Sequence, residues 1–168
     1  EKSRSYEVGL NWQATDKTSL DMAFYQTWLR DAIMSTAPSY LPYNVARAKI
    51  TGFEATLSHR FNESWGVKGS IDLKRPIDED SDNDLAYRER VKATAEVSYK
   101  PVDKLDLTAR LLYGGSRFAN AANTNKLDPY VTADFVALYD IDAQSQFKLS
   151  VENIFDKDYQ TTSGYIAP

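Results

Sequence analysis

The sequence has no cysteine, which excludes a disulfide framework, a thiolate metal site and thiol redox chemistry. No stretch approaches the roughly 18 consecutive apolar residues that a membrane-spanning helix needs. No charged, apolar and small-residue leader opens the chain, and the missing methionine before Glu1 suggests a mature or excised segment. A net charge of −4 and a pI near 5.0, with no run of Lys and Arg along the chain, argue against nucleic acid as a partner. Glycine and proline are scarce, at 7 and 6, beside 11 Tyr and 3 Trp. That aromatic loading fits strands and the interfacial girdles of membrane barrels. The mean hydropathy of −0.52 has the value of a water-soluble chain. Barrel strands, however, show lipid only every second residue, so an average conceals them.

What is present is alternation. Tyr6, Val8, Leu10 and Trp12 alternate with Glu7, Gly9, Asn11 and Gln13, a period of two that predicts a strand with one apolar and one polar face. The pattern resumes after Thr15-Asp16-Lys17-Thr18 with Leu20, Met22 and Phe24, so the pair reads as a hairpin. Similar polar turns stand at Asn62-Glu63-Ser64, at Val102-Asp103-Lys104 and at Asp142-Ala143-Gln144-Ser145. Four tight turns joining eight strands are expected. Each run is read as nine or more residues, longer than the ~5–6 of ordinary strands and matching the ~9–11 of a tilted transmembrane strand. Long connections are expected at residues 31–47, 75–87, 114–128 and from 155 onward. Short turns at one rim and long loops at the other describe an all-β, antiparallel, up-and-down transmembrane barrel.

Alternation alone does not say whether the apolar face points to a soluble core or to hydrocarbon. The polar face carries both signs, including Glu54, Lys68, Asp72, Lys92, Glu96 and Arg110, which suits a wet, cross-paired lumen wall. Aromatic residues gather at strand ends: Tyr6, Trp12, Trp28, Trp65, Tyr99, Tyr113 and Tyr139. Two interfacial belts would place them there. His59 falls among apolar-face positions near a turn, where a rim location tolerates it.

No group is assigned a catalytic role and no cofactor is implied. His59, the one histidine, stands beside Arg60 without a nucleophile motif, and no carboxylate pair is set apart from the others. Asp80, Asp82 and Asp84 offer hard oxygen ligands and form a weak calcium candidate, but the run lacks the glycine and terminal glutamate of an EF-hand loop. A solvated, extended acidic loop is the plainer expectation.

Three segments resemble the TonB-dependent outer-membrane transporter family. Asn153-Ile154-Phe155-Asp156-Lys157-Asp158-Tyr159, followed by Ser163-Gly164-Tyr165, is similar to the family's Asn-Leu-Phe-Asp-Lys-x-Tyr signature near the end of its penultimate strand. Residues Asn44 to Glu54, ending in Gly52-Phe53-Glu54, resemble a family strand that opens with small residues and Gly-Phe-Glu. Tyr130-Val131-Thr132-Ala133-Asp134 with Tyr139, preceded by Tyr113-Gly114-Gly115-Ser116-Arg117-Phe118, looks like its penultimate hairpin. Physically, Asn153, Asp156 and Asp158 can accept backbone hydrogen bonds in turns, while Phe155 and Tyr159 would sit at the membrane rim. The motif reads as structural.

The resemblance implies that residues 1–168 form part of the receptor β-barrel domain, with the plug and the final strand outside this chain. It further implies the outer membrane of a Gram-negative bacterium, lipid and the TonB complex as partners, the latter through the plug, and uptake of a scarce nutrient. Cobalamin or a ferric siderophore is the expected cargo. For substrate contact the long-loop rim offers Tyr40, Tyr43, Tyr87, Arg88, Arg117 and Phe118, able to stack on or pair with an anionic chelate. The alternative is a complete eight-strand membrane barrel with a structural or adhesion role, since eight strands suffice for closure.

Overall fold

The computed structural model describes residues 1–35 and 41–167, with the side chains of Met34 and Ala46 excepted. Among them there is no helix. Eight strands form one antiparallel sheet in chain order: β1 (Lys2–Thr15), β2 (Thr18–Ser35), β3 (Pro42–Arg60), β4 (Trp65–Asp78), β5 (Val91–Val102), β6 (Leu105–Gly114), β9 (Tyr130–Asp140) and β10 (Gln146–Val151). Two short ribbons lie outside it: β7 (Arg117–Phe118) with β8 (Lys126–Leu127), and β11 (Tyr159–Thr162) with β12 (Tyr165–Ala167). The all-β meander and all four tight turns are as the alternation predicts.

Cross-strand register turns eight alternating sequences into two continuous faces. One row runs Val8, Phe24, Phe53, Leu73, Val91. Another runs Trp12, Leu20, Leu57, Gly69, Ala95, Leu111, Ala133. A third runs Trp65, Tyr99, Leu107, Ala137, Leu149. None of these positions carries a charge. The rows interleaved with them are polar, as in Gln13, Ser19, Ser58, Lys68, Glu96, Arg110, Asp134, where Arg110 donates to Glu96 at 2.8 Å. From Trp65 to Leu73 the apolar face extends eight residues, about 27 Å along the strand. At a tilt of about 40° this spans roughly 21 Å of membrane normal, close to the apolar band of outer-membrane barrels.

Large apolar side chains on this face are open: Val8, Leu10, Phe24, Leu57, Leu111, Val131 and Phe147 are all exposed. A water-soluble sheet would cover them. The small buried cluster of Ala32, Val45, Ala48 and Leu85 lies instead toward the long-connection rim. Aromatic contacts mark both rims. Tyr6 meets Trp28 edge-on at 6.0 Å near the long connections, and Trp65 stacks on Tyr99 at 4.0 Å beside the tight turns. His59 sits at the tight-turn rim, bonded through Nδ1 to Thr18 at 2.8 Å and edge-on to Phe61.

The connections differ from expectation in three places. Strand β2 continues to Ser35 and β3 begins at Pro42, so most of the connection expected at 31–47 is paired strand. β4 likewise runs to Asp78, inside the loop expected at 75–87. β10 spans six residues rather than nine, because the chain turns at Asn153, whose φ is 49°. At the tight-turn rim, the backbone N–H of Gln144 and the Ser145 side chain and N–H hold the Asp142 carboxyl below the usual aspartate range.

Candidate functional site

At the long-connection rim, the segments 79–90 and 115–127 are joined to each other. The Asn123 side chain accepts from the backbone N–H of Asp84 at 2.7 Å and donates to its carbonyl at 2.9 Å. Tyr87 N–H donates to the Phe118 carbonyl at 2.7 Å. Asn123 and Tyr87 both take left-handed backbones, with φ of 55° and 59°, a conformation asparagine tolerates better than most residues. Leu85, Ala86, Ala119 and Leu127 are buried in these segments. Two long connections thus form one ordered layer.

The acidic run is exposed at Glu79 to Asp82 and buried only at Asp84, and its carboxylates are ion-paired without converging. Asp80 is held by Arg47, Asp82 by Arg75 at 3.1 Å, and Asp84 by Arg90 through both oxygens. Each acid is bound to a different arginine on or beside β3–β5, so charge pairing ties the loop to the wall. The bonds to Asp84 push the Arg90 guanidinium above its ordinary value.

Beneath this layer, on the polar face, lies a chain of ionic groups. Lys74 contacts Asp72 at 2.6 Å and Glu89 at 3.9 Å, and Glu89 binds Arg117 at 3.2 Å. Arg117 is 8% exposed, covers the Tyr130 ring at 5.4 Å, and Tyr130 stacks on Tyr159 at 4.1 Å. Two glycines make room for tyrosines in this region. Gly52 pairs with Tyr25 and Gly114 with Tyr130, and a Cβ at either glycine would meet the tyrosine ring within 2.4 to 2.5 Å. The Gly52 of the Gly-Phe-Glu motif is therefore a seat for an aromatic ring. Tyr130 is clamped from both sides, so Gly114→Ala should destabilise the parent protein by about 1–3 kcal/mol through overpacking. Urea unfolding checks this; a change below a few tenths of a kcal/mol would show that the ring moves freely.

The residues expected to meet substrate scatter through this region. Tyr40 lies outside the described residues. Tyr43 packs on the apolar cluster, and Arg117 is engaged by Glu89 and Tyr130. Arg88 is exposed, Tyr87 is half-buried with its hydroxyl buried and unpartnered, and Phe118 borders an outward cleft of about 340 Å³ with Arg90 and Lys126. In the Asn153 segment, Asn153 accepts from Lys157 N–H at 3.0 Å, and its own N–H donates to Asp134. Asp156 also has a left-handed backbone, with φ of 49°. Phe155 is exposed, whereas Tyr159 belongs to the Tyr130 stack rather than to the lipid rim. Sequence reasoning missed Glu89 and Asn123 and placed Tyr130 only in a hairpin motif, without its stack; the one local signal was the asparagine-rich run at 120–125.

An eight-strand antiparallel sheet, uncharged along one face and ion-paired along the other, with long linked connections at one rim, has the pattern of transmembrane β-barrel strands. Residues 1–154 match the model of the TonB dependent receptor-like β-barrel. This chain belongs to that family. The vitamin B12 transporter BtuB of Photobacterium profundum is 28% identical over 98% of this chain and 28% of its own length. The probable TonB-dependent siderophore receptor PiuA of Acinetobacter baumannii is 23% identical over 96% of this chain and 24% of its own length. Its crystal structure superposes with a TM-score of 0.74 at 22% identity, over 95% of this chain and 25% of that one. The copper transporter OprC reaches 0.77 at 18% identity, over 94% and 25%. The chain thus spans about a quarter of the length of the curated relatives it matches, and these relatives are named as transporters and receptors.

Proposed function

We propose that this chain is part of the barrel wall of an outer-membrane transporter that takes up a scarce nutrient complex, cobalamin or a ferric siderophore, driven by TonB. The observation that carries the reading is the pair of faces. Uncharged rows cross all the main strands on one side, and the other side is lined by ion pairs and hydroxyls. Such a wall needs lipid outside and a polar filling inside. On this reading the tight turns face the periplasm and the long connections face the medium. Residues 1–168 form one piece of the barrel domain.

Capture is assigned to the outer rim. Arg88 supplies an open cation and Tyr87 and Phe118 aromatic surface, Tyr43 and Arg117 support the layer, and Tyr40 is a further candidate for stacking on the cargo. The chemistry is reversible binding of an anionic chelate by stacking and charge; no bond is made or broken. The partners are outer-membrane lipid, the small nutrient, and TonB through a plug.

Expression of the full-length parent protein in a Gram-negative strain without its own cobalamin and siderophore receptors tests the reading. Uptake of labelled cobalamin or ferric siderophore, abolished by deletion of TonB, is the expected result. Uptake of neither, or uptake that persists without TonB, would overturn it.

A further inference from the structure

The Asn153-to-Tyr159 motif does more than end a strand. After β10 the chain docks back on β9: Ile154 N–H donates to the Ala133 carbonyl at 2.8 Å, and Asn153 N–H to the Asp134 carboxylate at 3.0 Å. Asn153 and Asp156, both left-handed with φ of 49°, shape a turn that the Asn153 side chain closes. It accepts from Lys157 N–H at 3.0 Å and donates to the Lys157 carbonyl at 3.2 Å. The turn is anchored at residues 133 and 134 and brings the chain back beside Tyr130, where Tyr159 stacks at 4.1 Å with 24° between the ring planes. Asn125 adds a second tie, to Ser163 at 3.4 Å.

The stack is the end of a longer row. Tyr130 lies against Arg117 at 5.4 Å, Arg117 binds Glu89 at 3.2 Å, Glu89 reaches Lys74 at 3.9 Å, and Lys74 binds Asp72 of β4 at 2.6 Å. One row therefore crosses residues 155–167, 115–127 and 79–90 and ends on the wall. Its two central members each stand beside a residue assigned to capture: Glu89 follows Arg88, and Arg117 precedes Phe118. Arg117 is buried, so Glu89 and the Tyr130 ring hold it more firmly than an exposed pair would. The spacing of Arg88 and Phe118 follows from that pair.

We propose that Tyr159 is a positioning residue for cargo capture: by bracing Tyr130 and Arg117 it keeps Arg88 and Phe118 at the spacing that binds cargo, and it makes three outer connections respond as one. The inference rests on the transporter reading above. Tyr159 acts here through Tyr130 and Arg117, without touching cargo. A ligand that meets connections already ordered loses less conformational entropy on binding. Removing one aromatic pair from the row is expected to weaken binding about two- to tenfold.

The test compares Tyr159→Ala, Tyr159→Phe and Phe155→Ala in the full-length parent protein. Hydrogen exchange is measured without cargo, and uptake kinetics with cobalamin or a ferric siderophore, whichever the unaltered protein takes up. Tyr159→Ala should speed exchange in 115–127 and 79–90 as well as in 155–167, and raise KM about two- to tenfold with the maximal rate unchanged. Tyr159→Phe keeps the ring and should leave both readouts as they were. So should Phe155→Ala, whose side chain is open and outside the stack. Should Tyr159→Ala not fold, Tyr159→Leu, which keeps bulk without an aromatic face, carries the same expectations. Faster exchange confined to 155–167, an unchanged KM, or an equal loss in Tyr159→Phe would overturn the proposal. Failure of the transporter reading is distinguishable, because the unaltered protein would then take up neither cargo, and the exchange pattern alone decides this inference.

Discussion

Ala95→Arg should cost the parent protein about 2–4 kcal/mol of stability in the membrane, and Thr94→Arg, one residue earlier, far less. Ala95 is the middle outward position of β5, flanked by Gly69 and Leu111 in a row without charge. An arginine there sits at mid-bilayer, too deep for its head to reach either interface without distorting the wall. Thr94 faces the other way, bonded to Ser70 at 2.6 Å, among Asp72, Lys92 and Glu96. An arginine at that site loses one hydroxyl contact and gains carboxylates. Urea unfolding of both variants in lipid vesicles measures the difference; a Thr94→Arg cost equal to or above that of Ala95→Arg would reverse the faces.

Glu89→Ala should destabilise by about 3 kcal/mol, because it leaves Arg117 buried without a counter-charge. The side chains of Arg117 and Glu89 are 7% and 16% exposed, so water screens the pair little. Lys74 would lose its second carboxylate as well. The double variant Glu89→Ala, Arg117→Ala should recover much of the loss, since no charge is then stranded. If the double variant is less stable than Glu89→Ala alone, the pair is not the reason Glu89 matters and packing on Tyr130 takes its place.

The two faces were legible in the sequence because hydrocarbon acts residue by residue: every second side chain along Val91 to Tyr99 had to be apolar whatever stood beside it. Strand ends were not. β2 and β3 stay hydrogen-bonded past the point where alternation stops, since the ladder needs no apolar side chain once the wall leaves the membrane. Pairings across strands were equally hidden. Nothing near Gly52 announces Tyr25, and nothing near Arg117 announces Glu89, 28 positions earlier; register alone unites them. Outward cations show the same limit: no run of Lys and Arg exists along the chain, yet register sets Lys2, Arg4, Arg30, Arg47, Lys49 and Arg75, from four strands, on one surface. The Asn153-to-Tyr159 motif was legible as a turn, but its tyrosine was assigned to the lipid rim for want of knowing that Tyr130 lay beside it.

The central claim is that the odd-numbered residues of β5 meet lipid and the even-numbered ones meet water. Single cysteines introduced one at a time at residues 91–99 of the full-length protein, spin-labelled in lipid vesicles, measure it through collision with oxygen, which concentrates in hydrocarbon, and with a water-soluble nickel chelate. The account predicts a strict period of two, with oxygen high at 93, 95 and 97 and nickel high at 92, 94 and 96. Odd positions shielded from both reagents would show them buried in a protein core, and would contradict the membrane wall.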